Sequence, residues 1–426
     1  MTSPRDRFIA AINHKQPDKV PADMGSTPVS GIAAGTLNKL RKALGLEEKL
    51  VKVHEPFQIL GEVEEDVMDA LKLDIIGLWG RNNFFGFQNK DWKPWKLQDG
   101  TDVLIGGGFT AIKGKDGGIY YYPKGDLTAK PSAKLPKGGY YFDNIVRQEP
   151  IEKNKLNGKK DFSEQFTLFS EEDLKFLEET ADDLYRNTEY GIVGNFFGVA
   201  LGDLGIWTAA GLKKTPGIRK PDDWYMAHIL YPDYVKEVYE YITEIALANL
   251  KLYKQAVADK IQVITVCGTD FGTQRGEFIS PDMFREFYKP YFKKVNDWIH
   301  KNTSWKTFYH SCGSILNIID DLIESGMDIL NPVQCSAKGM DPLMLKEKYG
   351  NRITFWGGAI DTQKTLPFGT AWEVKKETME RLEIFSKNGG FIFNATHNIQ
   401  QNTPVENILA YFSALHEFNS KHILYL

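Results

Sequence analysis

Cysteine is scarce: the 426 residues contain three, Cys267, Cys312 and Cys335, an odd number at wide spacing. That argues against a disulfide framework and leaves metal binding or catalysis as the chemistry to look for at a cysteine. No apolar run approaches the roughly 20 residues that cross a bilayer, and the opening MTSPRDRFIAAINHKQPDKVP lacks the apolar stretch of a signal peptide. The expectation is a cytoplasmic protein without a membrane partner. Blocks of like charge are also missing: 52 basic against 56 acidic residues leave a net charge of −4. A duplex needs a concentrated basic surface, so nucleic acid is not an expected partner. Gly-x-Ser-x-Gly, a Walker-type loop and a complete dinucleotide fingerprint are absent too, which sets aside a serine-hydrolase elbow and two kinds of phosphate cradle.

What is present is an ordinary globular composition, 42% hydrophobic and 25% charged, with an ample supply of aromatics in 26 Phe, 19 Tyr and 9 Trp. Eight short apolar or β-branched runs punctuate the chain: 20–24, 74–78, 191–197, 261–267, 306–311, 328–333, 353–359 and 390–395. Amphipathic segments separate the later ones, as at 232–259, 281–301 and 371–386. Strands alternating with helices predict a parallel sheet, and eight of them predict a (β/α)8 TIM barrel. An open doubly wound sheet is the alternative, but it favours a Gly-rich turn after its first strand, where this chain has Asp23-Met24-Gly25-Ser26-Thr27. Between the second and third runs, about residues 80–160 change character. Asp99-Gly100 and Asp116-Gly117 each separate alternating segments, a hairpin signal, so this stretch predicts an antiparallel β elaboration inserted in a single domain spanning 1–426.

In such a barrel, chemistry gathers at the C-terminal strand ends. There stand His310 and Cys312 after the fifth run, Asp270 after the fourth and His397 after the eighth. Imidazole and thiolate two residues apart at a turn can share a zinc ion, and a third ligand from another strand would leave one position open. Equally, His310 and Cys312 could be hydrogen-bonded and packed core residues. Asp270 reads as a proton donor or as a group orienting a metal ligand, with a turn-capping role the plainer alternative. Asn331, Gln334, Asp361 and Gln400 are candidates to meet polar atoms of a substrate. Phe196 and Phe197 are candidates to wall an aromatic pocket, or else they pack in the core.

Five segments occur in a telling order: Pro4-Arg5-Asp6-Arg7-Phe8, Pro17-Asp18-Lys19-Val20-Pro21, Phe278 to Phe284 (FISPDMF), His310-Ser311-Cys312-Gly313, and Thr403-Pro404-Val405-Glu406-Asn407-Ile408. Together they resemble the uroporphyrinogen decarboxylase superfamily, and within it the cobamide-dependent methyltransferase branch. The resemblance implies a (β/α)8 barrel, in agreement with the independent count of runs. Decarboxylases of this superfamily carry an arginine-bearing segment after the first strand to hold a polycarboxylate, and 23–28 here contains no arginine. The zinc methyltransferases carry His-x-Cys and a later Cys shortly before Thr-Pro-x-Glu-Asn; seven residues before Pro404 this chain has His397.

The resemblance therefore implies Zn2+ at His310, Cys312 and His397. With two neutral imidazoles and one thiolate the metal keeps a net charge of about +1, suited to an oxygen leaving group. The activity it implies is transfer of a methyl group from a small methylated donor, an aryl methyl ether favoured, to the cobalt(I) of a corrinoid. An Asp-x-His-x-x-Gly corrinoid loop is missing, so the corrinoid would be carried by a partner protein. Transfer from a methylcorrinoid to a thiol or tetrahydrofolate, decarboxylation of uroporphyrinogen, and a non-catalytic barrel scaffold are the alternatives.

Overall fold

The computed structural model describes residues 2–199, 201–205 and 209–422. Seven strands form one parallel sheet: β1 (Ile75–Leu78), β2 (Gly191–Gly194), β3 (Val263–Cys267), β4 (Lys306–His310), β5 (Ile329–Asn331), β6 (Thr354–Trp356) and β7 (Phe391–Ile392). Each pairs with the next in chain order, which is what crossover helices on one face produce. The sheet curls into a TIM-barrel-like half-barrel. All seven strands lie within runs expected from the sequence.

The first expected strand, 20–24, is reduced to one parallel bridge, Ala22 with Phe393. Its backbone nonetheless lies between the two sheet edges: Asp23 N–H donates to Phe393 O (2.9 Å), Phe393 N–H to Pro21 O (2.9 Å) and Asp74 N–H to Ala22 O (2.8 Å). Regular pairing fails for a local reason. Pro21 has no N–H, and Ala22 N–H donates to the Asp74 side chain at 2.8 Å instead of to a backbone carbonyl.

Inside the curl, Ile75, Val193, Val263, Phe308, Ile329, Trp356 and Ile392 pack around Phe8, Ala11 and Ile12 of the helix Pro4–Ile12. That helix sits under the N-terminal strand ends, where Arg5 N–H donates to Glu189 O and Gly390 N–H to Ala11 O. Its Arg7 pairs with Asp18 at 2.9 Å and with the buried Asp74. The bottom is thus plugged and the C-terminal end left for polar groups. A larger core lies between the strands and the outer helices, of which Pro232–Val257 is the longest described.

The elaboration is two four-stranded sheets. In one, Ala111–Lys113, Ile119–Tyr121, Ala133–Leu135 and Asp143–Asn144 pair antiparallel. In the other, the expected hairpin of Lys93–Lys96 with Asp102–Ile105 is extended by Lys52–Glu55 and Leu60–Gly61. Lys52–Glu55 precedes β1 in the chain and runs parallel to Asp102–Ile105. The elaboration is therefore neither confined to 80–160 nor wholly antiparallel. An isolated hairpin is marginal, and recruiting Val53 lets it share a core with Val103 and Ile105.

Candidate metal centre

Parallel pairing sets His310 opposite Asn331 at the ends of β4 and β5. Beyond His310 the chain turns sharply at Gly313, whose φ of +86° suits glycine and whose Cβ, if present, would stand 2.4 Å from Gly272 C. The turn is pinned from outside, with Gly313 N–H donating to Gln334 Oε1 (2.7 Å), Phe271 N–H to Ser311 Oγ (2.9 Å) and Cys312 N–H to Asp270 Oδ1 (2.6 Å). His397 comes from the loop after β7. Its neighbours anchor it: Thr396 Oγ1 donates to Ile360 O (2.7 Å), and Asn398 Oδ1 accepts from Gly31 N–H (2.6 Å).

The result is a compact trio. One ligand atom each from His310, Cys312 and His397 lies within 4.8 Å of the others, and the two imidazole rings meet edge-on at 5.2 Å between centroids. Zinc with nitrogen and sulfur bonds of about 2.0–2.3 Å keeps its ligand atoms roughly 3.3–3.8 Å apart, so the trio needs to close by about 1.5 Å at most. The donor set fits the ion.

Hydrogen bonding decides which nitrogen of His310 is offered. Asn331 Nδ2 donates to Trp356 O (3.0 Å), so its Oδ1 faces His310 Nδ1 at 2.6 Å. An amide oxygen only accepts, hence Nδ1 carries the proton and Nε2 presents its lone pair. Nε2 is the atom 3.4 Å from Cys312 Sγ and 3.5 Å from Asp270 Oδ1. Burial, with His310 close by, pushes His397 down to about 4 against the opposing pull of Asp270, so its ring is neutral near pH 7.

The other candidates scatter. Asn331 is fully buried with both amide ends engaged, and Gln334 braces the Gly313 turn. Asp361 Oδ1 accepts the Gln363 N–H, and its own N–H donates to Glu377 on the outer helix Ala371–Phe385. Gln400 Nε2 donates to Asn398 O at 3.4 Å. Phe196 packs outward on Phe169 and Tyr253. Of the substrate candidates only Phe197 borders the cavity described next. Cys267 is buried against Thr269, and burial pushes the Cys335 thiol up to about 12; neither joins the trio.

That cavity, of about 290 Å³, opens at the same end, between Pro28, Val29, Phe57, Phe84, Phe197 and Gly268. Its lining is tied to the trio by hydrogen bonds and by chain neighbours. Asn398, next to His397, donates to Pro28 O and to Gln58 Oε1 (both 2.9 Å), and Gly268 stands two residues before Asp270. Two buried carboxyls near this end escaped the sequence reading. Asp23 accepts from Trp356 Nε1 and Ser26 N–H (both 3.0 Å), and burial raises it to about 6. Glu55 accepts from the N–H groups of Phe57 and Gln58, and burial raises it to about 7. Asp23 ends an expected strand, which is the signal that could have found it; Glu55 carried none.

The family model for uroporphyrinogen decarboxylase (URO-D) matches residues 205–418, half of the chain. The chain belongs to the uroporphyrinogen decarboxylase family. It is 24% identical over 295 residues to the uroporphyrinogen decarboxylase of Prochlorococcus marinus (strain MIT 9515), covering 65% of this chain and 75% of that protein. A shorter match, 24% over 155 residues, joins it to the uroporphyrinogen decarboxylase of Pseudoalteromonas translucida (strain TAC 125), covering 34% and 40% of the two chains. Among solved structures, a methyltransferase from Methanosarcina mazei superposes with a TM-score of 0.53 over 98% of this chain and 99% of that one, at 17% identity. At that identity the likeness establishes the fold alone.

Proposed function

We propose that this member of the family is a methyltransferase that moves a methyl group from a small methylated donor, an aryl methyl ether favoured, to the cobalt(I) of a corrinoid carried by a partner protein. The observation that carries the reading is the meeting of His310, Cys312 and His397 at the C-terminal strand ends, beside an apolar cavity. His310 Nε2, Cys312 Sγ and His397 would hold Zn2+. When bound, the ion supplies a Lewis acid with a net charge of about +1, able to stabilise charge developing on a leaving oxygen.

The chain's own groups do the rest. Asn331 holds His310 in the tautomer that offers Nε2. Asp270 braces the Cys312 backbone and faces His310 Nε2, so it sets the angle between two ligands. The cavity walls orient the donor and keep water from the breaking carbon–oxygen bond, which favours a near-attack geometry. No protein nucleophile is required. Decarboxylation of a polycarboxylate is the weaker reading, because among the described residues no lysine or arginine lines the cavity.

Metal analysis of the purified protein, paired with methyl transfer from methoxyarenes to reduced cobalamin, tests the proposal. The expected result is about one zinc per chain, lost in Cys312→Ala and His397→Ala together with transfer, while both variants keep the wild-type circular dichroism. Full zinc occupancy in both variants, or coproporphyrinogen formed from uroporphyrinogen at an enzymatic rate, would overturn it.

A further inference from the structure

The side chains of the trio are held in different ways. His310 is fixed through its ring by Asn331, and it shares with Cys312 a turn that Asp270 and Gln334 pin. Among the described residues, neither ring nitrogen of His397 makes a hydrogen bond, so the place of that imidazole is set by its backbone. We infer that the elaboration positions this third ligand: Gln58, between the strands Lys52–Glu55 and Leu60–Gly61, sets His397 through Asn398 and thereby sets the affinity of the centre for its metal. This rests on the zinc reading of the trio above, not on the identity of the methyl donor.

On its N-terminal side His397 is tied to the barrel, where Thr396 N–H and Oγ1 both donate to Ile360 O (3.2 and 2.7 Å). On its C-terminal side the ties lead to the elaboration. The fully buried Asn398 donates from Nδ2 to Gln58 Oε1, and Gln58 Nε2 donates to Pro28 O, both at 2.9 Å, so the Gln58 amide is locked with its oxygen toward Asn398. Glu55 fixes the turn that carries Gln58, its carboxyl accepting the N–H groups of Phe57 (3.0 Å) and Gln58 (2.8 Å). Gly31 N–H donates to Asn398 Oδ1 (2.6 Å), and the residues after Gly31 are paired with the same unit, Gly61 N–H to Ile32 O and Ala34 N–H to Ile59 O, both 2.9 Å. Two outer ties follow: Gln401 Nε2 donates to Asp99 Oδ2 (2.5 Å) and Asn402 Nδ2 to Tyr140 Oη (2.8 Å). These are exposed to water and further along the chain, whereas the Gln58 bond is partly buried and reaches the residue next to the ligand, so it is the stronger hold. Cutting it frees the segment after His397 to sample more conformations, which binding of a metal must then order.

Competition with a chromophoric chelator for zinc, and the absorption spectrum at saturating cobalt(II), test this on the full chain. Gln58→Leu, which keeps the bulk of the side chain and removes its amide, should weaken zinc binding about tenfold. In its cobalt(II) spectrum the thiolate-to-metal band should persist while the ligand-field bands shift, because Cys312 stays bound and only the imidazole is loosened. Adding Gln58→Leu to Asn398→Ala should cost little beyond Asn398→Ala alone, the signature of two residues acting through one bond. Tyr140→Phe, at the exposed end, leaves the core intact and should weaken zinc binding about twofold, the size of one lost surface hydrogen bond. Asp116→Ala is the control: it breaks the ion pair with Lys134 (2.8 Å) in the other sheet of the elaboration and should leave zinc affinity unchanged. Unaltered zinc affinity in Gln58→Leu, or an unaltered cobalt(II) spectrum, overturns the inference and leaves the zinc reading standing. An equal loss in Asp116→Ala also overturns it, since the effect would then be a general loosening of the fold. A wild-type chain that binds neither ion overturns both.

Discussion

At the scale of single residues, the centre depends on Asn331 as much as on the three donor side chains. An unbroken set of contacts runs from Asp23 through the Trp356 indole and carbonyl to Asn331 and on to His310. Replacing Asn331 by Leu removes the acceptor for the Nδ1 proton and lets the ring choose either tautomer. The expected outcome is a loss of zinc affinity of about 10–100-fold, read by competition with a chromophoric chelator. Asn331→Asp keeps the acceptor and should keep the metal, although its second oxygen opposes Trp356 O and lowers stability. Unchanged zinc affinity in Asn331→Leu would remove the positioning role. His310 and Cys312 were legible in the sequence because two ligands lie two residues apart. The part played by Asn331 was not, since it comes from a strand pairing across 21 residues.

Among elements, the short strand Lys52–Glu55 shows what local pattern hides. Its sequence, Lys-Val-His-Glu, reads as a polar connection, yet its alternation buries Val53 and Glu55 against the elaboration. The carboxyl of Glu55 is burdened by burial more than it is relieved by the Gln58 and Phe57 N–H groups, so its pKa stands near 7 against an ordinary 4.5. The folded protein then holds a proton that the unfolded chain has released, and stability falls as pH rises from about 4.5 to about 7. The slope from one such group is about 1.4 kcal/mol per pH unit at most. Urea unfolding of the wild type and Glu55→Gln across pH 5 to 8 checks this. The difference should shift steadily in favour of the variant up to about pH 7 and then level off; a flat difference would place the Glu55 pKa near its ordinary value. The Asp99-Gly100 and Asp116-Gly117 turns were legible because their glycines need positive φ, +89° and +81° for Gly100 and Gly117.

For the whole molecule, the plug at the bottom of the curl supports the mouth at the top. Phe8 meets Trp356 edge-on at 5.6 Å, Phe308 meets the same ring at 5.3 Å, and the Trp356 indole holds Asp23. Phe8→Ala should cost about 3–5 kcal/mol in urea unfolding, the range for emptying a buried aromatic site. It should also lower zinc affinity, by loosening the residue whose carbonyl orients Asn331. A destabilisation under 1 kcal/mol would mean that the helix Pro4–Ile12 is not a structural part of the core.

Strand and helix positions, the two tight hairpins and the nearness of His310 to Cys312 follow from residues close in the chain, because periodicity, turn chemistry and short spacing are local properties. Tertiary structure decided the rest. Whether 20–24 becomes a regular strand depended on Asp74 taking the Ala22 N–H. Whether Phe196 or Phe197 faces the cavity depended on the packing of Tyr253 from the helix Pro232–Val257. The approach of His397 to His310 joins residues 87 positions apart in number, and only curling of the sheet brings β7 and its loop round to the end of β4. Such contacts are set by the path of the whole backbone, a quantity that no window of neighbouring residues contains.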